Sequence, residues 1–414
     1  MPILAFSVFL VSFLTCSVDS KAQFFFNNDS AFKAMTPNSG RLWGYAFGDV
    51  FYKPHSDTLN RGGQNQYTGI APNTTAFQFR RIYLGYDFNI SKKFVAELLL
   101  AAEDDFAGGD LLGNNKFAPY VKYMDVRWRD FIFKGNELVV GQSPTPSFPY
   151  LTEYVWGYRS IERTIIDIRR TGSFDFGVAD VGRFQSKDSS TMWGYNFMVA
   201  NGQGDKPYSS RFRWFYGDVF LGLLKHRLVF DLYADYDRIN WVPNFHNARQ
   251  MLKGYVAWTT PALTIGVEGY LNNLTKNFVG TKAAPGVGKD TLDGTAKGLS
   301  LYVTGNIIPS KLRFFARWDS YNPNTKYDNT TYSKYTSFIA QYEPNNKENF
   351  ITAGLDFMPA KNIHFMPNVW YNNYSGQQAN LAGKAAKDHD LVWRMTFYFV
   401  FGRSFTWPQN EYYQ

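Results

Sequence analysis

From about residue 41 to its end, the chain alternates apolar and polar residues in segments of about 8 to 15, joined by connections that are short and long by turns. A period of two belongs to strands, because every second side chain of a strand shares a face. The segments read 41–53, 76–90, 93–104, 119–129, 136–143, 173–184, 189–201, 211–223, 226–238, 250–259, 262–272, 296–308, 311–321, 347–357, 361–373 and 389–402. Tight turns fall at Ser91-Lys92, Asp130–Gly135, Gln185–Asp188, Leu224-Lys225, Thr260-Pro261, Pro309-Ser310 and Pro359-Ala360, and each connection between them is longer. An even strand count with tight turns at one end and long loops at the other is the pattern of an outer-membrane barrel. The expected fold is all-β, a transmembrane antiparallel β-barrel of about 16 strands.

The two faces are clear in several segments. In 311–321, Leu312, Phe314, Ala316 and Trp318 form one row, and Lys311, Arg313, Phe315, Arg317 and Asp319 the other. In 226–238, Leu228, Phe230, Leu232 and Ala234 oppose Arg227, Asp231, Tyr233, Asp235 and Asp237. Unpaired ions in a dry core cost several kcal/mol each, so the charged rows need either a wet interior or very dense pairing, and water is the simpler answer. Aromatics at 19% suit such strands, and Tyr120, Trp128, Trp258, Trp318 and Trp393 are expected at the membrane interfaces. Three places are ambiguous. The first strand can be registered either way; Asp218 shares a face with Trp214 and Phe220, which suggests a bulge or a wrong boundary; and 322–346 reads as a loop that could hide a strand near 335–343. Arg80 falls on the outward parity, near the outer rim.

One connection is far longer than its neighbours. Gly141 to Gly172 carries Arg159, Arg163, Arg169 and Arg170 beside Glu153, Glu162 and Asp167, with too many aromatic and aliphatic residues for a disordered linker. The expectation is a third outer loop, 144–172, folded into the lumen. Arg159, Arg163, Arg169, Arg170 and Glu162 are its candidate constriction residues, with guanidinium forks that give anions transient stops. The competing reading is that these arginines pair with Glu153, Glu162, Asp167 and wall carboxylates to pin the loop, Arg163 foremost, while Arg159, Arg169 and Arg170 are the better candidates for the lumen. Phe148, Tyr150, Tyr154, Trp156 and Tyr158 raise a second reading, an aromatic slide for sugars.

Residues 1–22 read as an export signal, with an apolar core from Ile3 to Leu14 and a cut after Ala22; 23–40 read as a periplasmic lead-in and 41–414 as the barrel. The single cysteine, Cys16, lies in the signal. Net charge is +8 but scattered, with no long basic run, which argues against a nucleic-acid partner. His55, His226, His246, His364 and His389 lie on separate segments without metal-ligand spacing, and no nucleophile elbow, P-loop or zinc-protease motif occurs. The acidic run Glu103-Asp104-Asp105 with Asp110 lacks the ligand order of a calcium loop. The chain is therefore expected to have no cofactor, no metal and no enzymatic activity.

The strand Arg80-Arg81-Ile82-Tyr83-Leu84-Gly85 followed by Phe94-Val95-Ala96-Glu97, and Val139-Val140-Gly141-Gln142 leading into Glu162-Arg163 and Arg169-Arg170-Thr171-Gly172, resemble the phosphate-selective porin O and P family over roughly residues 75–185. The resemblance implies a homotrimeric outer-membrane porin of 16 strands that passes small hydrophilic solutes or anions, possessing the third loop inside each pore and lipid as its surroundings. The inward set is mixed. Arg81, Arg127, Arg129, Arg227, Lys253, Arg313, Arg317 and Arg394 accompany Glu97, Asp125, Asp231, Asp235, Glu268, Asp319 and Asp356. A filter needs one sign of charge at close quarters, so this lining predicts at most a modest anion or phosphate preference. The alternatives are an outer-membrane barrel enzyme and a closed structural barrel of an envelope complex.

Overall fold

A computed structural model describes residues 37–406 apart from 64, 104–117, 205–210, 243–244, 284–287, 340–341, 344–345 and 377–386. The signal at 1–22, Cys16, most of the lead-in and the acidic run beyond Glu103 lie outside the described residues. The strands are β1 (Ser39–His55), β2 (Thr74–Asn89), β3 (Phe94–Glu103), β4 (Tyr120–Arg129), β5 (Asn136–Pro144), β6 (Phe174–Gln185), β7 (Met192–Ala200), β8 (Trp214–Leu223), β9 (Leu228–Val242), β10 (Phe245–Thr259), β11 (Leu263–Lys282), β12 (Lys289–Ile308), β13 (Leu312–Asn322), β14 (Tyr332–Ser337), β15 (Lys347–Ala360), β16 (Ile363–Ser375) and β17 (Lys387–Thr406). Two short helices, α1 (Thr152–Trp156) and α2 (Ile165–Arg169), lie between β5 and β6.

Every strand pairs antiparallel with its sequence neighbour until β13, which pairs with β15 directly. β1 then pairs with β17, from Ser39↔Thr406 to His55↔Leu391, and closes the ring. The ring holds 16 strands, and closure leaves it no open edge. β14 stands outside it, paired with the far end of β11 at Phe278↔Ser337. Along each strand exposed apolar residues alternate with buried ones. In β9, Phe230 and Leu232 are exposed while Asp231, Tyr233 and Asp235 are buried. The exposed rows, among them Val140, Phe176, Phe197, Val219, Leu232 and Trp393, make a lipid-facing belt, and the polar rows face inward. This outer surface belongs in a bacterial outer membrane.

Four local expectations are overturned. Arg80 is buried, because β1 and β2 shift register between Phe47↔Arg81 and Gly48↔Phe79. The extra residue is a β-bulge, which turns Arg80 and Arg81 to the same inner side and moves the outward row from Phe77 and Phe79 to Ile82 and Leu84. Asp218 involves no bulge: β8 keeps an unbroken register with β7 and β9, and Trp214, Tyr216, Asp218 and Phe220 are all buried inward. Apolar side chains sit on that inner face because other side chains pack on it. Tyr120 belongs to the inner side as well, packed against the cluster of Phe47, Tyr83, Leu99 and Ala101 beyond a register shift between Leu99 and Leu100, and not to an interfacial girdle. β11 and β12 run far past the expected 262–272 and 296–308, and β14 forms inside the stretch read as loop. β14 flanks β11 in its extension, where Phe278 packs with Tyr335 at 6.3 Å.

Candidate pore constriction

The segment between β5 and β6 starts from a constrained backbone. Gly141 has φ +131°, and a Cβ there would lie 2.9 Å from the Cα of Asp125, so only glycine lets β5 approach β4 this closely. The ends of the segment are tied together: Thr145 N–H donates to Ser173 O at 3.1 Å and its hydroxyl to Gly172 O at 2.8 Å. Inside, Gly157 adopts φ +69° and closes α1 by donating its N–H to Glu153 O at 2.9 Å. Thr164 caps α2, its hydroxyl accepting from the Asp167 N–H at 3.4 Å. Trp156 Nε1 donates to Glu162 O at 3.0 Å and links α1 to the turn before α2.

Apolar side chains fix the segment first. Phe148, Ile165 and Ile166 pack with Val139, Trp214, Tyr233 and Met251. Leu151, Val155, Trp156, Tyr158 and Ile161 pack with Phe220, Tyr255, Tyr302, Phe315 and Met366. Phe148, Trp156 and Tyr158 are therefore buried, and only Tyr150 and Tyr154 of the loop aromatics keep partial exposure. A fully buried aliphatic or aromatic side chain contributes roughly 1.5–3 kcal/mol, so these clusters outweigh any single polar contact.

Polar contacts then fix its position. Arg170 pairs with Asp235 of β9 at 2.6 Å, donates to Asn272 of β11 at 3.1 Å, and lies 4.7 Å over the Trp214 ring. Arg169 pairs with Glu348 of β15 and donates to Asn65 at 2.9 Å. Lys253 bridges Asp231 at 3.0 Å and Ser147 O at 2.6 Å. Tyr158 donates to Asp356 at 3.2 Å. Arg317 pairs with Asp319 and donates to Arg163 O at 2.7 Å, and Arg394 donates to Ile161 O at 2.7 Å. Glu162 accepts from Trp370 Nε1 at 2.6 Å and from Gln66 Nε2 at 2.8 Å. Arg313 lies 5.5 Å over the Tyr158 ring.

The remaining charges keep some solvent. The side chains of Arg159 and Arg163 are 14% and 16% exposed, against 1% and 0% for Arg169 and Arg170. Arg159 pairs with Glu153 and, at 2.9 Å, with Asp167; Arg163 reaches Asp167 at 3.8 Å. Burial pushes the Glu153 carboxyl above its ordinary range, against the pull of Arg159. For Asp167 burial is outweighed by Arg159, Arg163, Arg81 and Lys122, which hold it below the ordinary range. On the wall, Arg81 pairs with Glu103 at 2.9 Å, Lys122 with Glu103, and Arg127 with Asp125 at 2.9 Å and with Glu97. Arg129, at the end of β4, reaches Glu137 at 3.6 Å. Arg227, expected within a strand, sits in the turn before β9, where its carbonyl accepts from Thr259 N–H at 2.7 Å.

The sequence reading gave no role to the first outer loop, yet Asn65, Gln66 and Tyr67 are buried there. Tyr67 donates to Asp49 at 2.7 Å, Asn65 to Glu348 at 3.0 Å, and Arg394 reaches Tyr67 Oη at 3.1 Å. Arg80 joins them, bonded to Asp49, Gln66 and Ser160 O. The stretch Gly62-Gly63-Gln64-Asn65-Gln66-Tyr67 offers no charge or period to single it out.

With this geometry in view, the chain compares with solved outer-membrane channels. It shares the fold. The outer membrane channel DcaP of Acinetobacter baumannii superposes with a TM-score of 0.56 at 11% identity, covering 87% of this chain and 97% of that one. The anion-selective porin from Comamonas acidovorans gives 0.54 at 12%, covering 87% and 99%, and OmpF of Salmonella typhi 0.52 at 10%, covering 87% and 97%. No family model and no curated protein matches the sequence.

Proposed function

We propose that this protein is an outer-membrane porin in which segment 144–172 crosses the lumen, and that small hydrophilic solutes diffuse passively between the segment and the wall formed by β2, β3 and β4. The carrying observation is the difference between the two sides of the segment. Toward β9, β11 and β15 its arginines are sealed in ion pairs; Arg159, Arg163, Glu153 and Asp167 keep solvent contact, and so do Arg81, Glu103, Arg127 and Glu97 on the wall. Arg169, Arg170 and Glu162 then anchor the segment, while Arg159 and Arg163 border the passage. Four cations face four carboxylates, so the passage discriminates weakly by charge. A phosphate filter, which the resemblance to the O and P family raises, would need that balance tipped. Assembly as a homotrimer completes this reading.

Single-channel conductance of the refolded chain in a planar bilayer, with reversal potential under a salt gradient, tests it. Stable steps with a reversal potential close to zero, or slightly to the anion side, are expected. A correctly folded barrel that never conducts overturns the porin reading and moves a closed structural barrel or a barrel enzyme forward. Crosslinking in membranes tests the trimer.

A further inference from the structure

The histidines are scattered in sequence, but ring closure brings two of them together. His55 ends β1 and His389 lies near the start of β17; their rings stack at 3.9 Å, with Asp388 beside both. Their three ligand atoms lie within 4.8 Å of one another. The separations are informative. His55 Nε2 stands 3.7 Å and His389 Nδ1 3.8 Å from Asp388 Oδ1, too long for hydrogen bonds. Bonds of about 2.0–2.2 Å to a tetrahedral cation place ligand atoms roughly 3.4 Å apart, so an ion closes the set once the two rings tilt out of their stack, whose planes are 4° apart.

The contacts around the donors are those that ligands keep. His55 Nδ1 lies 2.8 Å from His389 O, a bond that puts the proton on Nδ1 and leaves the Nε2 lone pair toward Asp388. Asp388 Oδ2 accepts from both the N–H and the hydroxyl of Thr58 at 2.9 Å, which fixes the carboxylate and leaves Oδ1 toward the imidazoles, with one bond from its neighbour His389 N–H at 2.8 Å. Such outer contacts commonly support metal-bound imidazole and carboxylate.

The geometry points to a binding site for a late first-row divalent cation, Zn2+ or Cu2+, held by His55, Asp388 and His389 at the outer rim of the barrel. Two imidazole nitrogens and one carboxylate oxygen favour these ions over Ca2+ and Mg2+. All three ligands come from the first and last strands of the ring, so the bound ion bridges the closure seam. Thr58 connects it to the first outer loop, whose Gln66 holds Glu162. The site is independent of whether the barrel conducts.

The test uses the full tag-free chain refolded in detergent and titrated with ZnCl2 by calorimetry, and with CuSO4 by electron paramagnetic resonance. One Zn2+ per chain is expected, with affinity falling at least about tenfold in H55Q and H389Q, and not in H246Q. The Cu2+ spectrum of the unaltered chain is expected to carry hyperfine coupling from two imidazole nitrogens, a readout that needs no variant to fold. Absent binding, coupling to fewer than two nitrogens, or unchanged affinity in a folded H55Q/H389Q chain each overturns the site.

Discussion

Arg170 and Asp235 meet at 2.6 Å with neither side chain reaching solvent, and they join the end of the long segment to the ninth strand. A guanidinium and a carboxylate this dry are each costly alone, and removing one partner of such a pair typically costs about 3–5 kcal/mol. R170A and D235N are each expected to lower the urea midpoint of the refolded barrel, and the apolar pair R170M/D235L to recover much of the loss. A single variant that unfolds like the parent would show that the pair holds nothing.

The bulge at Arg80 makes a sharper prediction. One extra residue sets which face Phe77 and Phe79 occupy, because a one-residue slip exchanges the two faces of a strand. Deleting Arg80 is expected to prevent the barrel from forming, read as loss of the folded band in unheated gel electrophoresis. R80A retains the residue count and is expected to fold, with a lower urea midpoint because it leaves the buried Asp49 without its guanidinium.

Glu153 and Asp167 titrate in opposite directions, and this gives the segment a pH response. Burial raises the Glu153 carboxyl, whereas Asp167, despite burial, is held low by the arginines around it. As pH falls, Glu153 takes its proton first and Asp167 is still ionised. Arg159 and Arg163 then face one carboxylate in place of two, and the local charge goes from zero to +1. The reversal potential is expected to move toward the anion side between neutral pH and mild acid. E153Q is expected to show the acid value throughout, and a flat pH profile in the unaltered chain would count against the assignment.

R159Q/R163Q removes two charges from the proposed passage. The ratio of anion to cation permeability is expected to fall by at most about fivefold, the factor for one kcal/mol between charges a few Å apart in water. R169Q is expected to act on stability instead, since its side chain is sealed against Glu348.

The lipid belt supplies a control. Leu232 is 53% exposed on the outer face of β9. L232R is expected to cost about 2–4 kcal/mol of folding in vesicles, as arginine does near a bilayer midplane. A neutral result would place Leu232 elsewhere than in lipid.

Much of this architecture was legible in the residues. Rows such as Phe230, Leu232 and Ala234 against Asp231, Tyr233 and Asp235 state both the strand and its inner side, and short turns such as Ser91-Lys92 state the register of the ring. Bulges were illegible, since parity carries no mark where a residue is added; Arg80 and Tyr120 were misplaced for that reason. So was the inner row Trp214, Tyr216 and Phe220, apolar because another segment packs on it. The arginines of 144–172 were visible as a group, but their division into sealed Arg169 and Arg170 and wetter Arg159 and Arg163 depends on Asp235 and Glu348, 65 and 179 residues away. The pairing of His55 with His389, 334 residues apart, follows only from closure of the ring.

The hairpin of β11 and β12 has strands of 20 residues each, whereas about 9–11 tilted residues cross a bilayer. Nearly half of each strand therefore rises above the membrane surface, buttressed by β14 on the flank of β11. The outer mouth therefore carries a parapet above β11 and β12, and large molecules in the medium meet a screen from that direction.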